Sequence, residues 1–374
     1  MLPCHEFFST LRNEGIGFFA GVPDSLLKDV CAYISDHVSQ SDHVITANEG
    51  AALALATGHY LATGRPGLVY LQNSGLGNLV NPLTSLTDPE VYAIPALLLI
   101  GWRGEPGVHD EPQHRMQGRV MLATLAALGI EHAILPEDPA AARSTLARAV
   151  ETTKATQRPF ALIVRKGTFE GYKLKCKAPD LYTLRREEAL KLVLDSLGAD
   201  EVVVSTTGMT SREVFEYREA TGAGHARDFL TVGCMGHASQ IAMGVAIAKP
   251  ARLVYCLDGD GAVLMHMGAL AVIGASGQAN FRHIMLNNGA HDSVGGQPTV
   301  GFATDLPAVT QACGYRWVRS VSTPAEIPGV LAELKAATGP AFLEIRVNKG
   351  ARSDLGRPTT TTHDNKRDFM AYLQ

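Results

Sequence analysis

Two hydrophobic rhythms alternate along this chain. Short, almost uninterrupted apolar runs fall at 43–47 (HVITA), 67–73 (GLVYLQN), 96–101 (ALLLIG), 132–136 (HAILP) and 160–167 (FALIVRKG). Between them lie longer Ala/Leu-rich stretches with helical spacing, such as 49–64 and 139–155. The pattern resumes in the second half, with apolar runs at 201–208, 252–261, 282–289, 316–321 and 341–347. Apolar runs that do not alternate with polar residues suit strands buried on both faces. Strand, helix, strand with short connections predicts parallel sheets covered on both sides. The expected fold class is α/β, with two doubly wound parallel-sheet domains. The stretch 170–187 (EGYKLKCKAPDLYTLRRE) is charged, contains Pro179 and lacks periodicity. It predicts a domain over 1–170, a linker over 171–187 and a second domain over 188–374. The polar ending 354–374 closes on a short amphipathic segment expected to pack on its own domain or on a neighbour.

Composition narrows the class. The 374 residues are 46% hydrophobic and 19% charged, enough for two real cores, and the net charge of −4 gives no footprint for nucleic acid. The longest apolar run, VYAIPALLLIG at 91–101, is strand-sized and carries Pro95, so no membrane span is expected. The N-terminus lacks the basic-then-apolar pattern of a signal peptide. Six scattered cysteines (4, 31, 176, 234, 256, 313) form no CxxC pair. They suit a reduced, cytoplasmic protein better than a disulfide or zinc framework.

The chemistry begins at RLVYCLDGDGAVLMHMGAL (252–270), where an apolar strand runs into two aspartates set between glycines, with a helix expected from Ala262. A carboxylate there is costly without a cation. An EF-hand loop fails because Ala262 breaks its acidic series. A dinucleotide fingerprint fails because neither GDGAVL nor GLGNLV (75–80) has the third glycine, and no P-loop lysine follows either pair. The strand RHIML ends in a second polar turn, Asn287–Asn288. Ligands of open parallel sheets sit outside the strands' carboxyl ends, so these two turns come together. Aspartate, amide and carbonyl oxygens suit a hard divalent cation such as Mg²⁺, and a diphosphate is the natural supplier of the remaining ligands.

GDG followed by NN resembles the signature of the thiamine-diphosphate enzymes. That resemblance implies thiamine diphosphate and Mg²⁺ as cofactors. The metal would be held by the Asp260 and Asn288 side chains and the Ala290 carbonyl, with Gly259 and Gly261 flanking the diphosphate. It implies a glutamate against N1′ of the aminopyrimidine, and Glu49 in VITANEGAALALATGHYLATGRPG stands in the matching place. Its apolar surroundings should raise its pKa. TVGCMGHASQIAMGVAIA (231–248) resembles the segment before GDG, with Met235 as the apolar residue that bends the cofactor. STTGMTSRE (205–213) would contribute backbone contacts around Gly208 and Met209.

Relatives of this kind mostly carry a middle domain that is absent here. The compact arrangement, with GVPDSLLKD (21–29), NSGLGNLVNPLTSL (73–86), GWRGEPGVHDEPQHRMQG (101–118) and NNGAHDSVGGQPT (287–299), is similar to that of phosphonopyruvate and sulfopyruvate decarboxylases. The first implies decarboxylation of 3-phosphonopyruvate to phosphonoacetaldehyde in phosphonate biosynthesis. The alternatives are sulfopyruvate decarboxylation or another 2-oxo-acid decarboxylase or carboligase. The substrate would be a small 2-oxo acid with a second anionic group. Asp24, Ser25, Asn78 and Gln297 match cofactor-facing loops, and Arg103 and His109 suit charge-assisted contacts to the anion. His114, His109, Asp24 and His291 are the groups able to return a proton, with His114 set beside Glu49 as catalytic. The resemblance also implies a homodimer or higher homo-oligomer, with pyrimidine and metal contacts from different subunits.

Overall fold

The computed structural model describes residues 1–175 and 180–374. Cys176 and Pro179, in the expected linker, lie outside the described residues. The chain forms two compact units, 1–177 and 178–374.

The first unit is built on six strands: β1 (Phe19–Gly21), β2 (His43–Ile45), β3 (Leu68–Gln72), β4 (Leu97–Gly101), β5 (Glu131–Ile134) and β6 (Phe160–Val164). They form one parallel sheet in the order β2-β1-β3-β4-β6-β5. The second unit contains β7 (Val202–Ser205), β8 (Asp228–Leu230), β9 (Val254–Gly259), β10 (Phe281–Asn287), a two-stranded ribbon of β11 (Ala290–His291) and β12 (Gln297–Pro298), then β13 (Trp317–Val321) and β14 (Ala341–Arg346). Its main sheet, also parallel, runs β8-β7-β9-β10-β14-β13. Renumbering its six strands from β7 gives 2-1-3-4-6-5, the order of the first sheet. The two units therefore share one topology, and each reverses direction between its first and third strands, the position where open parallel sheets bind ligands.

The central strands of each sheet are buried on both faces, which is why they show no polar alternation. In β3, Leu68 and Tyr70 enter one core while Val69 and Leu71 enter the other. In β9, Tyr255 and Leu257 face one side and Val254 and Cys256 the other. The strands β1 and β8 were not expected from the sequence. Phe-Ala-Gly and Asp-Phe-Leu contain no β-branched residue, unlike the equally short His-Val-Ile of β2, yet they pair with β3 and β7, which lead into site turns.

The connecting stretch is held at both described ends. Tyr172 donates its backbone N–H to Asp29 (3.0 Å) and its hydroxyl to Asp36 (3.0 Å) in the first unit. In the second, the Tyr182 N–H reaches Asn348 (3.0 Å). The C-terminal helix Thr362–Tyr372 packs on its own unit and covers the edge strand β8. Asn365 accepts from the Leu230 N–H (3.1 Å) and donates to the Asp228 carbonyl (2.8 Å), satisfying edge groups that would otherwise invite another chain. Among the described residues no helix is long and apolar enough to cross a membrane.

Candidate active site

In the second unit β9 and β10 are neighbours, with Leu286 opposite Gly259, so the turns that follow them are side by side. The helix after β9 begins at Asp260, two residues earlier than expected, and spans Asp260–Met265. The Asp260 carboxylate is 2% exposed and accepts from the Asn288 N–H (3.4 Å) and the Thr299 hydroxyl. The Asn288 Oδ1 accepts from the Ala290 N–H (3.1 Å), so Asp260, Asn288 and Ala290 form one cluster. Asn287 serves the scaffold instead. Its amide donates to Glu344 (2.7 Å) and the Gly301 carbonyl (2.9 Å).

Burial pushes the Asp260 carboxyl up to about 6, although hydrogen bonds from Thr299 and nearby backbone N–H groups act to lower it. Among the described residues no arginine or lysine pairs with it. A dication at this oxygen-rich point would supply the missing positive charge, so the donor set fits a hard metal ion. Gly301 makes the cluster possible, because a Cβ there would lie 2.6 Å from Asp260 Oδ2 and 2.8 Å from Asn287 Oδ1.

Gly208 ends the turn after β7, next to β9 in the sheet, and has φ +96°, a conformation that favours glycine. Met209 opens the helix Met209–Thr221. Met235 projects from a loop in which Gly233, Cys234 and Gly236 all have positive φ. A Cβ on Gly261 would meet Met235 Cε at 3.4 Å and the His291 ring at 3.3 Å. Met235, His291 and the GDG turn thus converge. Burial lowers the His291 pKa to about 4, leaving a neutral imidazole. Gln297 is fully buried on β12, paired with His291 across the ribbon.

In the first unit Glu49 opens the helix Glu49–Thr63, whose N-cap Asn48 accepts from the Ala51 N–H (2.9 Å). Glu49 is 5% exposed, and burial raises its pKa against a hydrogen bond from Asn78. Asn78, expected to contact substrate, donates its amide to Glu49 Oε2 at 2.6 Å. Gly75 was not anticipated as a site residue. A Cβ at that position would stand 2.2 Å from Glu49 Oε1. Gly75→Ala should therefore displace the carboxylate and cost about 100-fold in activity, given that misplacement by an ångström has effects of that size. Gly77→Ala, in open space two residues on in the helix Leu76–Leu86, should leave activity unchanged. Steady-state kinetics with circular dichroism on both variants checks the contrast.

A second cluster lies beyond β1, β3 and β4. Asp24 is fully buried, accepting from Gln72 (2.5 Å) and the Leu26 N–H (2.9 Å), and burial raises its pKa. Arg103 is not a free cation. Its guanidinium clasps Asp110 (2.8 and 2.5 Å) and donates to Ser25 (2.7 Å). His109 is exposed. His114 is buried, and desolvation, helped by Arg103, lowers its pKa to about 4, so it is a neutral imidazole whose Nδ1 has no partner among the described residues.

Two family models match the chain: the thiamine pyrophosphate enzyme N-terminal TPP binding domain over residues 5–125 and its C-terminal counterpart over 206–345. A phosphonopyruvate decarboxylase from Streptomyces hygroscopicus is 36% identical, covering 100% of this chain and 94% of the relative. The chain belongs to the thiamine pyrophosphate enzyme family. A phosphonopyruvate decarboxylase from Streptomyces viridochromogenes is 35% identical over 100% of this chain and 95% of its own. A sulfopyruvate decarboxylase from Methanosarcina acetivorans is 25% identical over 98% and 96%. Of the thiamine pyrophosphate enzyme domains, the N-terminal match includes Glu49 and the C-terminal match includes Asp260 and Asn288. Thr299, Gly301 and Gly75 escaped the sequence because their roles arise only from contacts between distant segments.

Proposed function

We propose that this chain decarboxylates 3-phosphonopyruvate to phosphonoacetaldehyde and CO₂, using thiamine diphosphate and Mg²⁺. The observation that carries the substrate is the full-length similarity, 36% to a phosphonopyruvate decarboxylase against 25% to a sulfopyruvate decarboxylase. Bound thiamine diphosphate supplies the electron sink that loss of CO₂ from a 2-oxo acid requires. Asp260 and Asn288, with the Ala290 carbonyl, would hold the metal. The backbone at Gly208, Met209, Gly259 and Gly261 would face the diphosphate, and Met235 would press on the cofactor from the side. Glu49 would share a proton with the pyrimidine N1′, its burial favouring the protonated form.

At the substrate end, Asp24, Ser25 and Arg103 form the polar wall, with His109 and Gln297 as further contacts. Arg103 orients Ser25 while Asp110 balances its charge. A neutral His114 would act as hydrogen-bond partner to the reacting acid, not as a cation. Five described cysteines are free, in keeping with a cytoplasmic setting.

The test is CO₂ release from phosphonopyruvate, sulfopyruvate and pyruvate, with and without thiamine diphosphate and Mg²⁺. The expected result is a kcat/KM for phosphonopyruvate about tenfold or more above the others, dependent on both cofactors. A preference for sulfopyruvate would move the assignment to the sulfonate enzyme. The proposal includes a homodimer or higher homo-oligomer in which Glu49 and the metal residues of one site come from different chains. Mixing inactive Glu49→Gln and Asp260→Asn proteins should then restore about a quarter of wild-type activity after subunit exchange. No recovery would count against shared sites.

A further inference from the structure

The turn carrying Asn288 is tied to a buried ion pair by one residue, Asp292. Arg186, 5% exposed, grips Glu213 with two parallel hydrogen bonds of 2.9 Å each. Its remaining arm reaches Asp292 Oδ2 at 2.9 Å. The same oxygen accepts from the Gly350 N–H (3.0 Å) and stands 3.5 Å from the Asn288 Nδ2. Glu213 lies on the helix Met209–Thr221, whose first residues adjoin Gly208, and a Cβ on Gly208 would approach Ser293, the neighbour of Asp292, to 3.9 Å. The network thus joins two segments that the cofactor reading uses for different ends of the metal–diphosphate group.

Two features make this more than a stability device. Replacing a buried ion pair by apolar groups is often neutral, so stability alone does not call for Arg186. An asparagine also presents oxygen at one end of its amide and NH₂ at the other, and only the oxygen can bind a cation. A carboxylate beside Nδ2 accepts only, so Asp292, together with the Ala290 N–H on Oδ1, selects the orientation that leaves a lone pair of Oδ1 for the metal.

We propose that Arg186, acting through Asp292, is a positioning residue that fixes the Asn288 amide with its oxygen toward the divalent metal. The proposal rests on the reading of Asp260, Asn288 and Ala290 as the metal site. It is tested by calorimetric titration of Mg²⁺ into protein held with excess thiamine diphosphate, alongside kcat at saturating Mg²⁺. Asp292→Ala, which removes the acceptor that holds the Asn288 NH₂, should weaken Mg²⁺ affinity about 10–100-fold, the usual range for groups that orient a ligand. Its kcat at saturating Mg²⁺ should stay close to wild type. The double variant Arg186→Met/Glu213→Met removes the ion pair without stranding a charge of that pair and should show the same loss of affinity in a folded protein. Mg²⁺ affinity in Asp292→Ala equal to wild type, when Asp260→Asn has lost it, would overturn the positioning role alone. If wild type itself shows no Mg²⁺-dependent binding, the metal reading falls and this inference with it.

Discussion

Glu49→Gln is expected to lower turnover by about 10³-fold or more while thiamine diphosphate affinity stays within a few-fold of wild type, since acid–base groups commonly contribute that much to rate and little to binding. The substitution keeps the side chain's size, and its amide oxygen can still accept the 2.6 Å hydrogen bond from Asn78. It removes only the ability to exchange a proton. Stability moves the other way. Burial holds the Glu49 pKa above the ordinary glutamate value of 4.5. The folded protein without cofactor therefore binds this proton more tightly than the unfolded chain does. That contribution is complete at pH below 4.5 and is lost as pH rises through the raised folded value. Thermal unfolding of cofactor-free protein should show Glu49→Gln more stable than wild type at pH 8, with the gap closing toward pH 4. Equal activity in the variant would remove Glu49 from the reaction.

Asp260→Asn should weaken Mg²⁺-dependent thiamine diphosphate binding by about 100-fold or more, because even groups that only orient a metal ligand cost 10–100-fold. The amide keeps the side chain's shape but cannot supply the negative charge. Without metal the wild-type carboxylate is a burden, since burial pushes it from 3.8 to about 6. Stability from this group is present below pH 3.8 and lost as pH rises through about 6, so the cofactor-free variant should unfold at a higher temperature than wild type at pH 8. Addition of Mg²⁺ and cofactor should reverse the ranking by stabilising wild type more than the variant. Calorimetric titration and thermal scans at two pH values test both halves.

The parts of this molecule that could be read from sequence were those encoded locally. The strands β3, β4, β6, β9, β10 and β14 announce themselves because burial on both faces demands continuous apolar runs. Asp260 and Asn288 could be brought together on paper because each follows the carboxyl end of such a strand. The strands β1 and β8 could not be seen, as Phe-Ala-Gly and Asp-Phe-Leu lack the β-branched residues that mark the equally short β2. Asn78 shows the limit on side chains. The sequence places it in a cofactor-facing loop, but it lies in the helix Leu76–Leu86, and its bond to Glu49 depends on how that helix approaches the one Glu49 opens. Arg103 shows the same limit for charge, because its pairing with Asp110 fixes what it can offer an anion. The tie from Arg186 to Asp292, more than 100 positions apart, has no local signal at all.

The most direct measurement is a crystal structure of the protein with thiamine diphosphate and Mn²⁺ in place of Mg²⁺, read by anomalous scattering. The expected result is one peak within about 2.2 Å of an Asp260 carboxylate oxygen, Asn288 Oδ1 and the Ala290 carbonyl, with diphosphate oxygens completing the shell. A peak elsewhere, or cofactor bound with these three groups turned away from its diphosphate, would contradict the account.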